Sequence, residues 1–242
     1  LACQSSPMRL QGILESGELR IGLSGNQPPL NMTNKNGEII GLEVDLMKAL
    51  AHSMGLTPRF VVKPFADLIP AIENGEVDVV ISGMTITPER NARVAVVGPY
   101  FISGKSVLTK AAEIASADEA TLLNNADHRY AVLAGSTSET FVEPVLPKAV
   151  SVPAKDDDAA EQMVLDDEEQ AMSADFPICQ LSVMRHPEAN LSTLMTPFTI
   201  EPLGIALSAD DPLLINLIEN YLNTLENTGL LIQCKAKWFS DG

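Results

Sequence analysis

Apolar residues along this chain recur at two spacings, and the spacings alternate. Residues 19–23 (Leu-Arg-Ile-Gly-Leu) are apolar at every second position, as in a strand. Residues 42–54 place Leu42, Leu46, Met47, Leu50, Ala51 and Met54 on one helical face, with Gly55 placed to end the helix. A strand is predicted over 58–63. A helix over 66–74 turns Leu68, Ile69 and Ile72 inward and stops at Gly75, and a strand over 77–82 follows. Gly37 and Gly41 bracket Glu38-Ile39-Ile40 as a hairpin region. The β-α-β-α-β order predicts a parallel sheet covered by helices.

The alternation returns more faintly after residue 110. Residues 130–133 read as a strand that runs into Gly135-Ser136-Thr137-Ser138-Glu139 and a helix start. A strand near 149–152, a helix over 157–165, a strand over 171–174 and a helix over 176–185 follow. A strand over 203–207 precedes an amphipathic helix carrying Leu213, Leu214, Leu217, Ile218, Tyr221, Leu222 and Leu225, and a last helix spans 230–238 after Gly229. Two α/β units joined by extended crossings are expected, with the cleft between them as the ligand site.

Composition narrows the choice. The 242 residues suffice for two lobes of ordinary size. No apolar run approaches the length of a transmembrane helix. A formal charge of −16 argues against nucleic acid or an anionic membrane surface as partner. Cys179 and Cys234 lie in apolar-periodic segments and are expected as free thiols. His52, His128 and His186 are scattered as packing or surface residues, and no spacing calls for a metal or a cofactor. Residues 156–169 hold eight acidic side chains and no Lys or Arg, which reads as a solvated surface. No glycine sits where a calcium loop needs its sharp turn. At the N-terminus, Leu1-Ala2-Cys3 followed by a small polar tether looks like the end of a bacterial lipoprotein signal, with Cys3 the residue to be acylated.

The most informative stretch is Ser82-Gly83-Met84-Thr85-Ile86-Thr87-Pro88-Glu89-Arg90. It reads as a strand end, a polar turn and a helix start, with Thr87 as N-cap and Pro88 at the first helical position. Arg90 falls in the first turn, where a cation opposes the helix dipole at a cost of about 0.3–1 kcal/mol. Such a placement fits an arginine that holds an anion in a bidentate fork together with free backbone N–H groups.

Taken with Gly41-Leu42-Glu43-Val44-Asp45, Gly75-Glu76-Val77-Asp78, Pro99-Tyr100-Phe101, the 135–139 turn and Lys237-Trp238, this stretch resembles the bacterial periplasmic amino-acid-binding proteins of ABC importers, the polar-amino-acid solute-binding family. The resemblance runs from about residue 18 to 238. It implies a two-lobed periplasmic-binding-protein fold, the type II Venus flytrap. Each lobe is an α/β unit with a mixed, mostly parallel sheet under helices. Lobe one would be residues 9–105 plus 200–242, lobe two 106–199, with 1–8 as tether and the hinge near 103–110 and 196–200. A free α-amino acid presents a carboxylate and an ammonium about 2.5 Å apart. Arg90 would take the carboxylate, with backbone N–H groups of Thr85 and Thr137. The Gly83 carbonyl, the Thr85 hydroxyl and Asp175 would take the ammonium. The resemblance also brings Ser82, Leu133, Ser136 and Ser138 to the site, Phe65 as an aromatic wall, and Ser24 and Gln27 beside the ligand's side chain.

The expected partners are a small-molecule amino acid and the membrane permease of an ABC importer, with membrane contact only through a lipid anchor, no nucleic acid, and a monomeric state. The expected location is the periplasm or the cell envelope as a lipoprotein. Ser24, Gln27 and Leu30 replace an acid and aromatics usual in relatives that bind basic amino acids, which disfavours a basic ligand. Asp167-Glu168-Glu169-Gln170-Ala171 replaces an apolar strand start, so that strand should begin late. No Ser-His-Asp arrangement, phosphate loop or metal motif supports an enzyme. Two other uses of the same clamp stay open, a cyclohexadienyl dehydratase acting on prephenate or arogenate and a ligand-binding sensor module.

Overall fold

In a computed structural model the described residues are 9–239. The proposed lipidation site Cys3 and its tether lie outside them.

The described residues form two five-stranded sheets and a small three-stranded one. The strands are β1 (Glu18–Leu23), β2 (Asn26–Gln27), β3 (Asn31–Thr33), β4 (Ile39–Ile40), β5 (Thr57–Val62), β6 (Val79–Val80) and β7 (Ala95–Ser103). They continue with β8 (Lys105–Thr109), β9 (Arg129–Leu133), β10 (Val150–Ala154), β11 (Ala171–Asp175), β12 (Ser192–Thr193) and β13 (Glu201–Leu207). The helices are α1 (Arg9–Ser16), α2 (Leu42–Ser53), α3 (Leu68–Glu73), α4 (Pro88–Asn91), α5 (Ala112–Ala115) and α6 (Ala120–Leu123). The rest are α7 (Thr137–Val145), α8 (Asp157–Leu165), α9 (Phe176–Arg185), α10 (Pro212–Asn227) and α11 (Leu230–Phe239).

The first large sheet has the order β5-β1-β6-β13-β7 and the second β10-β9-β11-β8-β12. In the first, β1 pairs in parallel with β5 and β6, as the β-α-β-α-β pattern predicts, and β13 is antiparallel to both β6 and β7. In the second, β9 is parallel to β10 and β11, while β8 is antiparallel to β11 and β12. Both faces of each sheet are packed. In the first sheet Leu19, Ile21 and Val79 join one apolar cluster with α2 and α10, and Val80 and Ala206 join another with α3. In the second, Tyr130 and Val132 face α7 while Ala131 and Met172 face α8 and α9. Burial on both faces explains why β9 reads as an almost unbroken apolar run.

The chain passes from the first sheet to the second at Gly104, between β7 and β8, and returns between β12 and β13. The two passages touch there. Lys105 N–H donates to Thr199 Oγ1 at 2.8 Å and Phe198 N–H to the Lys105 carbonyl at 2.8 Å.

Some predicted elements are shorter than the pattern implies. The strand over 77–82 is reduced to β6, because Asp78 turns back to bind the Arg20 backbone and guanidinium. The helix over 66–74 divides into a 3-10 turn at Phe65–Asp67 and α3. The helix α1 was not foreseen; only Ile13 of it is buried. β11 starts at Ala171, late as expected, and Glu169 escapes burial unpaired by meeting Arg129 Nε at 2.7 Å. Cys179 and Cys234 are both free thiols.

Candidate functional site

The loop after β6 is fixed from below. Glu43, fully buried at the start of α2, accepts from Gly83 N–H at 2.6 Å, from Asn31 Nδ2 at 2.6 Å and from the Tyr100 hydroxyl. Burial pushes the Glu43 carboxyl above its ordinary pKa, and the three donors pull it back only in part. Gly83 has φ +58°, a conformation that glycine adopts without a Cβ penalty. Further along, Ile86 N–H donates to Pro202 O at 2.8 Å and Gly204 N–H to Met84 O at 2.9 Å, so the loop is stitched to β13. Thr87 caps α4 through the Arg90 N–H, with Pro88 at the helix start, as the sequence predicts.

Arg90 is held in place rather than free on the surface. Its Nη1 donates to Thr85 O at 2.8 Å, and its guanidinium lies 5.5 Å from the Phe65 ring centre. Burial lowers its pKa, opposed by the carboxylates of Asp175 and Glu201.

The second sheet contributes the opposite wall. Ser136 caps α7 by accepting from Ser138 N–H and Glu139 N–H, and Glu139 returns to accept from Gly135 N–H at 2.8 Å. Thr137 therefore does not serve as the cap. Its hydroxyl meets the Thr85 hydroxyl at 3.2 Å, across the cleft. Asp175 ends β11 and stands at the N-cap position of α9, yet its side chain makes no capping bond. It turns instead to Lys105.

Lys105 was not predicted as a site residue. Its side chain is 1% exposed, and its Nζ lies 2.5 Å from Asp175 Oδ1 and 2.7 Å from Glu201 Oε2. It ties β11 of the second sheet to β13 of the first. Burial alone would lower its pKa, but the two carboxylates outweigh burial and raise it. The available signal was a lysine opening an otherwise uncharged strand, Lys105-Ser106-Val107-Leu108-Thr109, next to the crossing glycine.

Asp157 was missed for a different reason. The acidic stretch 156–169 is not the uniformly solvated face expected from its charge. Asp156 caps α8 through Ala159 N–H, and Asp157 and Glu161 are buried. Helical phase separates neighbouring acids that look equivalent in sequence. Asp157 Oδ2 has no hydrogen-bond partner among the described residues. Burial first, then the Asp175 carboxylate, pushes its pKa up to about 7 against the pull of Lys105.

These walls enclose a cavity of about 20 Å³, lined by Gln27, Phe65, Gly83, Leu133, Ser136, Thr137, Ser138 and Asp175 of the predicted set, joined by Lys105, Asp157 and Ile178. Arg90 borders the adjoining pocket, of about 250 Å³, which shares Phe65 with the cavity. Ser24 and Ser82 do not reach the wall. They lie behind it, where both hydroxyls donate to Gln27 Oε1 at 3.0 and 2.7 Å and so orient Gln27. A space this small holds about one water, so an amino acid enters only if the two walls part. Among the described residues, no group of three or more His, Cys, Asp or Glu is placed to hold a metal ion. No described helix is long and apolar enough to cross a membrane.

Two α/β lobes joined by paired crossings, with charged groups of both lobes converging between them, define a two-lobed solute-binding clamp. The sequence pattern of bacterial extracellular solute-binding proteins, family 3, matches residues 19–241, and the chain belongs to that family. Among characterised relatives, it is 27% identical to a cyclohexadienyl dehydratase of Pseudomonas aeruginosa over 97% of this chain and 87% of the relative. It is 25% identical to the ABC transporter arginine-binding protein 1 of Escherichia coli over 94% of this chain and 93% of the relative. Among solved structures, an ancestral amino acid-binding protein described as a precursor of cyclohexadienyl dehydratase superposes with a TM-score of 0.88 at 34% identity, covering 96% of this chain and all of the other.

Proposed function

We propose that this protein captures a free α-amino acid between its lobes, taken as residues 9–105 plus 200–242 and residues 106–199, and delivers it to the membrane permease of an ABC importer. One observation carries the reading. Arg90, a cation set over the Phe65 ring, and Asp175, an anion lining the cavity that Phe65 also lines, come from different lobes, and the Asp175 charge acts on Arg90. A zwitterion matches that polarity. Its carboxylate suits the planar fork of Arg90, and its ammonium suits acceptors only, which Asp175 and the Gly83 carbonyl supply. Because the two ends of the ligand touch different lobes, binding favours the closed state by the difference in contacts between open and closed. The protein acts as a monomer in the periplasm, tethered to the membrane through acylated Cys3. It is a carrier without catalytic residues.

A specific contact favours a second reading. Lys105 already occupies Asp175 Oδ1, so a ligand without an ammonium, such as prephenate, leaves that pair intact. This is the dehydratase reading, and the similarity to a cyclohexadienyl dehydratase agrees with it.

A thermal-shift screen of the twenty amino acids and prephenate separates the two. A ligand at a hundredfold excess over Kd stabilises the folded state by about 2.7 kcal/mol. Stabilisation by one or a few amino acids, with no phenylpyruvate formed from prephenate, is the expected result. Turnover of prephenate would overturn the carrier reading.

A further inference from the structure

The cleft carries more negative charge than an amino acid's zwitterion can match. Five ionisable groups act on one another there. Arg90 feels Asp175 and Glu201, Lys105 is paired with the same two carboxylates, and Asp157 feels Asp175 and Lys105. Three carboxylates stand against two cations. Glu43, behind the Gly83 loop, is served by three neutral donors and brings no cation to the cleft. A zwitterion adds one charge of each sign and leaves the imbalance unchanged.

The excess has an address. Asp175 and Glu201 share Lys105 at 2.5 and 2.7 Å. Asp157 has no ion pair among the described residues. It is 4% exposed, it lines the cavity, and its Oδ2 meets no donor among the described residues. A buried carboxylate costs several kcal/mol unless something pairs with it. It does not serve as the helix cap, since Asp156 and not Asp157 caps α8.

We infer that Asp157 reads the ligand's side chain, and that the ligand is an α-amino acid whose side chain carries a cationic nitrogen. This rests on the amino-acid reading of the site. The cation reaches Asp157 from inside the cleft, while Arg90 and Asp175 hold the α-groups common to all amino acids. Ser24, Gln27 and Leu30, whose identities disfavour a basic ligand, all belong to the first lobe. The acid comes from α8, in the second.

The charge state of Asp157 supplies an independent handle. The groups that face it are Asp175 on β11, Lys105 on β8, the Cys179 thiol on α9, and Asp156 and Asp158 at its own helix start. Its pKa of about 7 leaves it about half protonated at neutral pH. A cation drives it to the carboxylate, so binding releases roughly half a proton per site at pH 7.

The test uses L-arginine and its neutral isostere L-citrulline with the full chain in calorimetry, at pH 8 and pH 6, in two buffers of different ionisation enthalpy. The expected result is an arginine preference of about tenfold or more at pH 8, a smaller preference at pH 6, and proton release at pH 7 with arginine only. Asp157→Asn should bring the two ligands to within about threefold and end the proton release. Equal affinities in the wild-type protein, or an unchanged ratio in Asp157→Asn, overturns the inference and leaves the amino-acid reading standing. Failure of every amino acid to bind overturns both. Should Asp157→Asn fail to fold by circular dichroism, the wild-type ratio and its proton release decide alone.

Discussion

The ammonium of Lys105 lies 2.5 Å from the carboxylate of Asp175, with the lysine 1% and the aspartate 9% exposed at the side chain. The same ammonium reaches Glu201 at 2.7 Å. One side chain thus pairs with carboxylates from both sheets beside the crossing at Gly104. It also occupies one oxygen of the aspartate that the proposed clamp offers to the ligand's ammonium.

Removing that cation strands two buried carboxylates. Lys105→Met should cost about 3–5 kcal/mol of stability, the range for breaking one side of a buried ion pair. Urea denaturation at pH 7 measures it. A loss below about 1 kcal/mol would mean that solvent already screens the pair.

Much of the fold was legible because burial on both sheet faces imprints itself on sequence. The runs of β1, β9 and the long helix α10 were readable from spacing alone. The site was legible where local chemistry marks it. Thr87 and Pro88 announce α4 and so place Arg90 in its first turn, whereas Asp175 is marked by the family resemblance and reads locally as an ordinary helix cap. Lys105 and Asp157 were not legible. Lys105 owes its place to a partner 70 residues away in sequence, Asp175. Asp157 differs from Asp156 and Asp158 only in the phase of the helix it begins. A cluster of like charges reports net charge, not which member turns inward.

The buried Asp157 makes stability depend on pH in a definite direction. Its carboxyl titrates near 7 in the folded protein against an ordinary value of 3.8. The folded state therefore keeps a proton that the unfolded chain gives up. Stability falls as pH rises from about 4 to about 7 and is flat above, a loss on the order of 4 kcal/mol for this group. Asp157→Asn should remove the slope. The variant should melt above the wild-type protein at pH 8 and match it near pH 4, in melting curves collected across that range. Parallel curves for the two proteins would show that Asp157 is not the titrating group.

Gly104 is where the two passages between sheets come closest. A Cβ there would stand 2.1 Å from Thr199 O and 2.7 Å from Pro197 Cβ. Backbone and a proline ring cannot swing aside as a flexible side chain can, so the crossings must separate. Gly104→Ala should lower stability by about 1–3 kcal/mol, as overpacking does. It should also weaken ligand binding although the added Cβ meets Thr199 and Pro197 and not the cavity wall, because it shifts the lobes relative to each other. Melting temperature and calorimetric affinity check the two effects. An unchanged affinity would place the pivot elsewhere.

Arg90 separates binding from stability most cleanly. Within the fold it donates one hydrogen bond to Thr85 O and stacks on Phe65. Together these are worth about 1–2 kcal/mol, so Arg90→Ala should fold and melt only a few degrees lower. In the proposed clamp the same side chain supplies the planar fork for the α-carboxylate, which no neighbour replaces. Arg90→Ala should then abolish binding of every α-amino acid. Arg90→Lys keeps the charge but loses the paired N–H geometry, and should weaken binding by about ten- to a hundredfold, or 1.4–2.8 kcal/mol. Calorimetry of the two variants against the ligand found for the wild-type protein gives the comparison. If Arg90→Ala retains wild-type affinity, the carboxylate is held elsewhere, and the anion site must be sought among the Ser136, Thr137 and Ser138 backbone groups instead.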